Sequence, residues 1–422
     1  MEVNLPFAKR LDQDDVLKEF RNEFFIPKTS DGKDYIYLAG NSLGLQPKKV
    51  KEFVNEELDD WAKLGVEGHL YARHPWLPYH ESVTESMARL VGAKPFEVVV
   101  MNTLTVNLHL MMVTFYRPTA KKYKIVIEGG AFPSDQYAVK SQIKFHGFDP
   151  KTALIELMPR PGEACLRTED IVSTIDSQSE SIALVLLGGV NYLTGQAYDF
   201  HEIARSAKKN HCEMGLDLAH GVGNLVLNLH DWNVDFAVWC TYKYLNAGPG
   251  GLSGSFIHER HSKNFELPRF AGWWGHNKST RFQMGSEFDP LHGAEGWQLS
   301  NPPILQLAAL RASLEIFDRA EMNCLRAKSE KLTGYLEFLI KSLDTDFYSI
   351  VTPSTPSQRG CQISLKTGKK KSHIGSKEFV SKMARHGIIC DYREPGFIRL
   401  APVPLYNTFT DVYIMANILD QL

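Results

Sequence analysis

The stretch "DFAVWCTYKYLNAGPGG", Asp235 to Gly251, sets a lysine, Lys243, between an apolar strand pattern and a glycine-rich loop. Phe236, Ala237, Val238 and Trp239 read as a buried strand. Lysine is costly to bury unless something pairs with it or reacts with it. A surface lysine at a strand end is the ordinary reading of this stretch alone. The sharper reading is an amine held as a Schiff base to a cofactor aldehyde. Outward from Lys243, the chain between Val98 and about Phe256 alternates strand and helix: "VVVM", "KIVIE", "ALIEL", "IALVLL", "EMGLDLA" and "DFAVWC" are strands, and "GSFIH" is a further candidate. Strands this apolar, separated by helical patterns, predict an α/β fold with a mostly parallel central sheet and helices on both faces.

The flanks differ. Val16, Leu17, Phe20 and Phe24 share a helical face, and "DYIYLAGNSLGLQPKKV" predicts a short strand, a glycine-rich turn and a helix starting near Pro47 that carries Val50, Phe53, Val54, Leu58 and Trp61. After Asn301 a long helical region runs to about Leu343. "GCQISL", "IICDYR" and "FIRLAP" then predict strands, with helices at "KEFVSKMARHG" and "FTDVYIMANILDQL". The expected division is an N-terminal segment (1–50) contributing to a small domain, a large cofactor-binding domain (51–300), and a linking helix with a smaller α+β C-terminal domain (301–422). "KTGKKKSH", Lys366–His373, reads as a solvated basic loop.

A hydrophobic content of 43% and a charged content of 23% fit a soluble globular chain, and a net charge of -2 gives no push toward nucleic acid or an acidic membrane. The six cysteines are scattered without C-x-x-C spacing, which fits a reducing compartment. The first twenty residues carry no apolar run of a secretory signal, and "IALVLLGGV" is too short to span a bilayer. The expected address is the cytoplasm, with no membrane, nucleic-acid or metal partner.

Asp217, in "EMGLDLAHGVGN", closes a strand where open α/β sheets place their ligands. An acid and a lysine on neighbouring strand ends are the minimal apparatus for pyridoxal phosphate, although a salt bridge explains the spacing equally simply. Leu104 and Thr105 open a helix just after a strand, a place suited either to a phosphate or to plain capping. "GGAFPSDQY" repeats that layout: Phe132 can stack on a ring or pack in the core, and Ser134 or Asp135 can cap. His220, Trp273, Ser300 and Asn301 lie in loops around this pattern. Arg399 can grip a carboxylate or join an ion pair, as can Arg393.

The motifs "LAGNSLGLQP", "NTLTVNLHLMM", "AFPSDQYA", "LDLAHGVGN", "CTYKYLNAGPGG", "GWWGH", "SNPPI" and "IRLAPVPLYN" follow in order over nearly the whole chain. As a set they resemble the kynureninase family. The resemblance implies the type I fold of pyridoxal phosphate enzymes, a homodimer with sites at the subunit boundary, and a role in tryptophan degradation. By the same resemblance Lys243, Tyr242 and Asp217 are catalytic. Leu104, Thr105, Phe132, Pro133, Ser134, Asp135, Gly188, His220, Trp273 and Asn301 join them in holding the cofactor. His69, Ser300, Asn301 and Arg399 would bind substrate. Gly188 departs from the serine of animal-type members and removes one hydroxyl.

The implied reaction is hydrolytic cleavage between Cβ and Cγ of kynurenine or 3-hydroxykynurenine. It gives alanine and anthranilate or 3-hydroxyanthranilate. The rivals are an aminotransferase or cysteine desulfurase on the same fold, and an inactive cofactor-binding protein. Cys324, in a helical run, and Cys361, at a strand start, look unsuited to a desulfurase's mobile nucleophile, and the presence of Lys243, Asp217 and Arg399 argues against an inactive chain.

Overall fold

The computed structural model describes residues 1–343, 348–367 and 376–421. Seven strands make the central sheet: β1 (Val98–Met101), β2 (Lys124–Glu128), β3 (Leu154–Leu157), β4 (Ile182–Gly188), β5 (Glu213–Asp217), β6 (Phe236–Cys240) and β7 (Ser253–Ile257). Their order is β1-β7-β6-β5-β4-β2-β3, and β7 runs antiparallel to both neighbours while β2 to β6 pair in parallel. The period of two along each strand sends alternate residues to opposite faces. Val98 and Val100 therefore enter one apolar cluster, and Val99 and Met101 enter the other. Both faces are covered over the middle of the sheet, so the strand interiors are largely apolar, whereas the edge strand β3 exposes Glu156.

A second, four-stranded antiparallel sheet joins Tyr348–Ile350, Ile363–Thr367, Phe397–Leu400 and Asp391–Arg393 in that order. Its core takes Leu332 to Ile340, Phe409 to Leu419, and also Ala8, Ile36 and Leu38 from the beginning of the chain.

Several local expectations fail for identifiable reasons. The helix lies at Leu5–Gln13, capped by the Asn4 side chain, and not over Val16–Phe24. Asp15 Oδ1 accepts the Leu17 N–H at 2.9 Å and turns the chain into a 3₁₀ segment, Lys18–Glu23. Pro47 sits in a two-residue strand paired with Phe24, and the next helix begins at Val50. On that helix Leu58 and Trp61 face outward, 39% and 61% exposed, with Leu70 and Tyr71 exposed after them. The long helical region is two helices, Ile304–Ala320 and Met322–Lys341, because Glu321 has φ +58°, which a right-handed helix cannot continue. "IICDYR" is also divided: Ile388–Ile389 pairs in parallel with Ile36–Tyr37, and Asp391–Arg393 forms a hairpin with Phe397–Leu400. The strand Tyr348–Ile350 carried no sequence expectation. From position 368 onward the basic stretch Lys366–His373 lies outside the described residues.

Candidate active site

The C-terminal ends of β1, β2, β4, β5 and β6 open onto one cavity of about 370 Å³, closed on the far side by Arg393 and Arg399 of the small sheet. Lys243 follows β6 in a turn on which the segment 39–45 rests. The Gly44 N–H donates to the Tyr242 carbonyl at 2.9 Å, and a Cβ on Gly44 would stand 2.2 Å from the Lys243 carbonyl oxygen. Only glycine permits that approach. It brings Asn41 and Ser42 into the cavity wall. Lys243 Nζ lies 6.0 Å from the centre of the Phe132 ring.

Asp217 ends β5 and is 5% exposed. Its Oδ1 accepts the Ala219 N–H at 2.8 Å, whereas Oδ2 is buried without a partner. Burial raises the Asp217 pKa, against the pull of the Ala219 N–H and the Lys243 charge. Asp135 stands alongside; burial and then the Asp217 charge push its pKa well up. The two carboxyls stand within hydrogen-bond reach of one another, and among the described residues no N–H group or cation meets Asp217 Oδ2. His220, also buried, has an unpartnered Nδ1, and burial with the charges of Lys243 and Arg399 keeps its ring neutral. Burial likewise raises the Tyr242 hydroxyl and keeps it protonated at neutral pH.

At the other end of the cavity α1 (Leu104–Phe115) begins at Thr103 with no side-chain cap, so its first N–H groups remain available. Thr105 Oγ1 and Ser134 Oγ lie 2.9 Å apart beside it. Neither Ser134 nor Asp135 caps its own helix, α2 (Pro133–Phe145): Phe132 is the cap residue and Pro133 the first helical position. Arg399, 2% exposed, donates through Nη1 to the Tyr192 carbonyl at 2.9 Å and through Nη2 to Ser42 Oγ and Asp391. Its Nε–H is buried and unpartnered.

These orphaned atoms test the cofactor that the resemblance implies. A buried polar atom left unpaired costs about 1–3 kcal/mol, and here several face one cavity. A pyridinium N–H suits Asp217 Oδ2, a phosphate suits the first turn of α1 with Thr105, an aldehyde suits Lys243, and a substrate carboxylate suits Arg399. The residues present fit pyridoxal phosphate.

Leu104, Thr105, Phe132, Ser134, Asp135, Gly188, Asp217, His220, Tyr242, Lys243 and Arg399 all line this cavity. Pro133, His69, Trp273, Ser300 and Asn301 do not. Ser300 and Asn301 are exposed, Trp273 is 43% exposed, and His69 Nδ1 is occupied by the Val66 carbonyl at 2.9 Å. Sequence reasoning passed over Glu128, Tyr192, Asn41 and Ser42. Glu128 carried a signal: it ends an apolar strand as Asp217 does. No cysteine lines the cavity. Elsewhere, Glu97, His230 and His258 lie close enough to share a cation. The Glu97 carboxylate is already taken by His230 and by the Lys94 and Glu259 N–H groups.

The model of the kynureninase C-terminal domain matches residues 325–419. A kynureninase of Myxococcus xanthus is 61% identical over 98% of this chain and 96% of its own length. One from Koribacter versatilis is 56% identical over 96% of this chain and 95% of its own. Among solved structures, an apo cysteine desulfurase from Thermococcus onnurineus superposes with a TM-score of 0.76 at 17% identity, covering 96% of this chain and 97% of that one. At that identity the likeness is one of fold.

Proposed function

The chain belongs to the kynureninase family, and on that premise we propose that it cleaves kynurenine and 3-hydroxykynurenine hydrolytically between Cβ and Cγ. Water is consumed, and alanine leaves with anthranilate or 3-hydroxyanthranilate. The observation that carries this reading is the meeting, in one cavity, of Lys243, an Asp217 Oδ2 that no N–H group or cation of the described residues meets, and the half-free guanidinium of Arg399. Pyridoxal phosphate, bound there, supplies the electron sink that makes the substrate Cα–H acidic.

The chain's own residues do the rest. Asp217 Oδ2 would hold a proton on the ring nitrogen, and Phe132, in the same cavity wall, would help to hold the ring. The first turn of α1, with Thr105, holds the phosphate. Arg399 has five N–H groups, of which three are engaged, and the two left, Nε–H and one on Nη1, lie on different edges of the guanidinium, so that one of them would meet the substrate α-carboxylate. Lys243 Nζ takes the Cα proton. The Tyr242 hydroxyl, kept protonated by burial, returns a proton to the fragment that becomes alanine. His220, kept neutral, lines the wall without adding a further positive charge beside Lys243, Arg399 and Arg393.

His69, Trp273, Ser300 and Asn301 gain a role if two copies pair and each completes the other's cavity. The exposed apolar side chains Leu58, Trp61, Leu70 and Tyr71 favour such a homodimer. Sedimentation at micromolar concentration tests it, and a monomer with full turnover would end it. The free, mostly buried thiols fit a cytoplasmic setting. The activity is tested by supplying kynurenine and measuring alanine and anthranilate together. Borohydride reduction followed by peptide mapping should mark Lys243, and a mark on another lysine would reassign the site.

A further inference from the structure

Glu128 ends β2 in the cavity wall, 4% exposed, and among the described residues no lysine, arginine or histidine pairs with it. A buried carboxylate without a cation needs hydrogen-bond donors instead. It has three. The Gly188 N–H donates to Oε2 at 3.1 Å, and Asn191 Nδ2 donates to Oε1 at 3.1 Å. The Tyr198 hydroxyl is the third. A Cβ on residue 188 would stand 3.1 and 3.3 Å from the two carboxyl oxygens, so the glycine at 188 makes room for Glu128.

What Glu128 grips is the loop after β4. Asn191 Oδ1 accepts the Leu193 and Thr194 N–H groups and the Thr194 hydroxyl, at 2.9–3.1 Å. Those three bonds fix the orientation of the Asn191 amide and aim its NH₂ at Glu128. The residue between, Tyr192, has three further contacts. Its ring meets Phe132 edge to face, centroids 5.2 Å apart at 81°. Its carbonyl accepts from Arg399 Nη1 at 2.9 Å and from Gln362 Nε2 at 3.0 Å.

We propose that Glu128 is a positioning residue that, through Asn191 and Tyr192, sets Phe132 on the cofactor side and Arg399 on the substrate side relative to one another. A single buried carboxylate thus ties the large sheet to the arginine of the small one. The role rests on the function proposed above, since it assigns cofactor to Phe132 and carboxylate to Arg399.

The test uses Glu128→Gln and the exchanged pair Glu128→Gln with Asn191→Asp. In the single variant the new NH₂ faces either the Gly188 N–H or the Asn191 NH₂, and one bond is lost. In the exchanged pair the amide NH₂ now at position 128 donates to the carboxylate at 191, whose other oxygen keeps the loop, so both bonds and the net charge return. Two readouts are taken on folded protein, checked by circular dichroism. One is the Kd of the apoprotein for pyridoxal phosphate, from tryptophan fluorescence. The other is KM and kcat for kynurenine.

Glu128→Gln should raise both Kd and KM roughly tenfold with kcat changed less, as for other residues that orient binding groups. The exchanged pair should return both to within about threefold of wild type. A single variant with a lowered Tm but wild-type Kd and KM would make Glu128 merely structural and overturn the proposal. So would an exchanged pair that folds without recovering, or that stays unfolded. If Glu128→Gln alone does not fold, the exchanged pair decides. A wild type that neither binds pyridoxal phosphate nor cleaves kynurenine would sink the function itself, whereas an active wild type matched by Glu128→Gln sinks only the role of Glu128.

Discussion

Two groups of buried acids sit on the same sheet and meet opposite fates. Glu128 and Asp217 at the C-terminal ends of their strands and Asp135 in the first turn of α2 crowd one cavity with no cation of the described residues in contact, and all three pKa values are raised, chiefly by burial. At the N-terminal end of β5, Asp235 is equally buried but receives Arg260, His261 Nε2 at 2.8 Å and the Met214 N–H at 2.7 Å. Burial pushes the Asp235 pKa up, yet those partners overcome it and bring it down to about 2. The paired acid is complete within the chain. Of the acids without a cation, Glu128 is satisfied by the Gly188 N–H and the Asn191 amide, whereas Asp217 is incomplete, and a cationic ring is what would complete it. The difference separates a structural buried charge from a waiting site by its missing partner, not by its burial.

The sharpest way to break this contrast is to neutralise one acid from each group. Asp217→Asn should cut kcat/KM for kynurenine by roughly 10³-fold, the order expected for a charge aimed at the reacting system. The apoprotein should move the other way. The Asp217 pKa is raised in the folded state, so the stability it contributes is full below the ordinary carboxyl range and is lost as pH rises through the raised value. At pH 7 the apo Asp217→Asn variant should therefore be more stable than apo wild type, by about 1–2 kcal/mol. Asp235→Asn should do the reverse, losing about 2 kcal/mol of stability with or without cofactor and keeping the cofactor Kd. Chemical denaturation of both forms at pH 7 reads all four values, and an apo Asp217→Asn protein less stable than wild type would erase the distinction.

Arg399→Lys probes the substrate end. A lysine keeps the charge but lacks the planar donors that meet both the Tyr192 carbonyl and a carboxylate. A loss of about 2 kcal/mol in kcat/KM, roughly thirtyfold, is expected with the cofactor's visible spectrum retained. An unchanged kcat/KM would pass the carboxylate to Arg393, which shares Asp391 with Arg399.

The same contrast explains what was legible in the sequence. Lys243, Asp217 and Thr105 could be placed because each follows an apolar strand at a break in pattern, and a parallel sheet gathers such breaks at one end. Glu128 stands at the same kind of break and was passed over, because a lone glutamate closing a strand is ordinarily solvated. Nothing local marks Asn41 and Ser42, which reach the cavity only because Gly44 lets its segment lie on the lysine turn. His69 and Asn301 raised the opposite difficulty. The resemblance put them at the substrate, yet within one chain they lie away from the cavity, and only a second copy could bring them there.

The proposed pairing of two copies yields a smaller effect. If His69 and Asn301 bond the phenolic hydroxyl of 3-hydroxykynurenine, kynurenine leaves those polar groups unpaired. The wild type should prefer the hydroxylated substrate by about tenfold in kcat/KM, close to 1.4 kcal/mol. His69→Trp with Asn301→Thr should shrink or reverse that ratio. A wild type that prefers plain kynurenine refutes the specificity and leaves the reaction intact.

The last effect lies wholly within the paired group, at Glu213, and touches stability alone. Its carboxyl stands beside Asp235, and burial followed by the Asp235 charge raises its pKa to about 8, against the pull of Arg260 and Lys122. One proton therefore stays in this group at neutral pH, on Glu213, while Asp235 remains ionised against Arg260 and His261. The folded pKa lies above the ordinary value of 4.5. The stability Glu213 contributes is then full below that value and is lost progressively as pH climbs toward about 8. Asp235 does not blur this window, because its loss comes on the acid side, as pH falls toward about 2. Glu213→Gln fixes the neutral form and should flatten the stability profile between pH 5 and 8 relative to wild type, with turnover unchanged. Denaturant midpoints at half-unit pH steps read the slope. If wild type and Glu213→Gln run parallel across that range, Glu213 is ionised throughout, and the second group is no more self-sufficient in charge than the cavity floor.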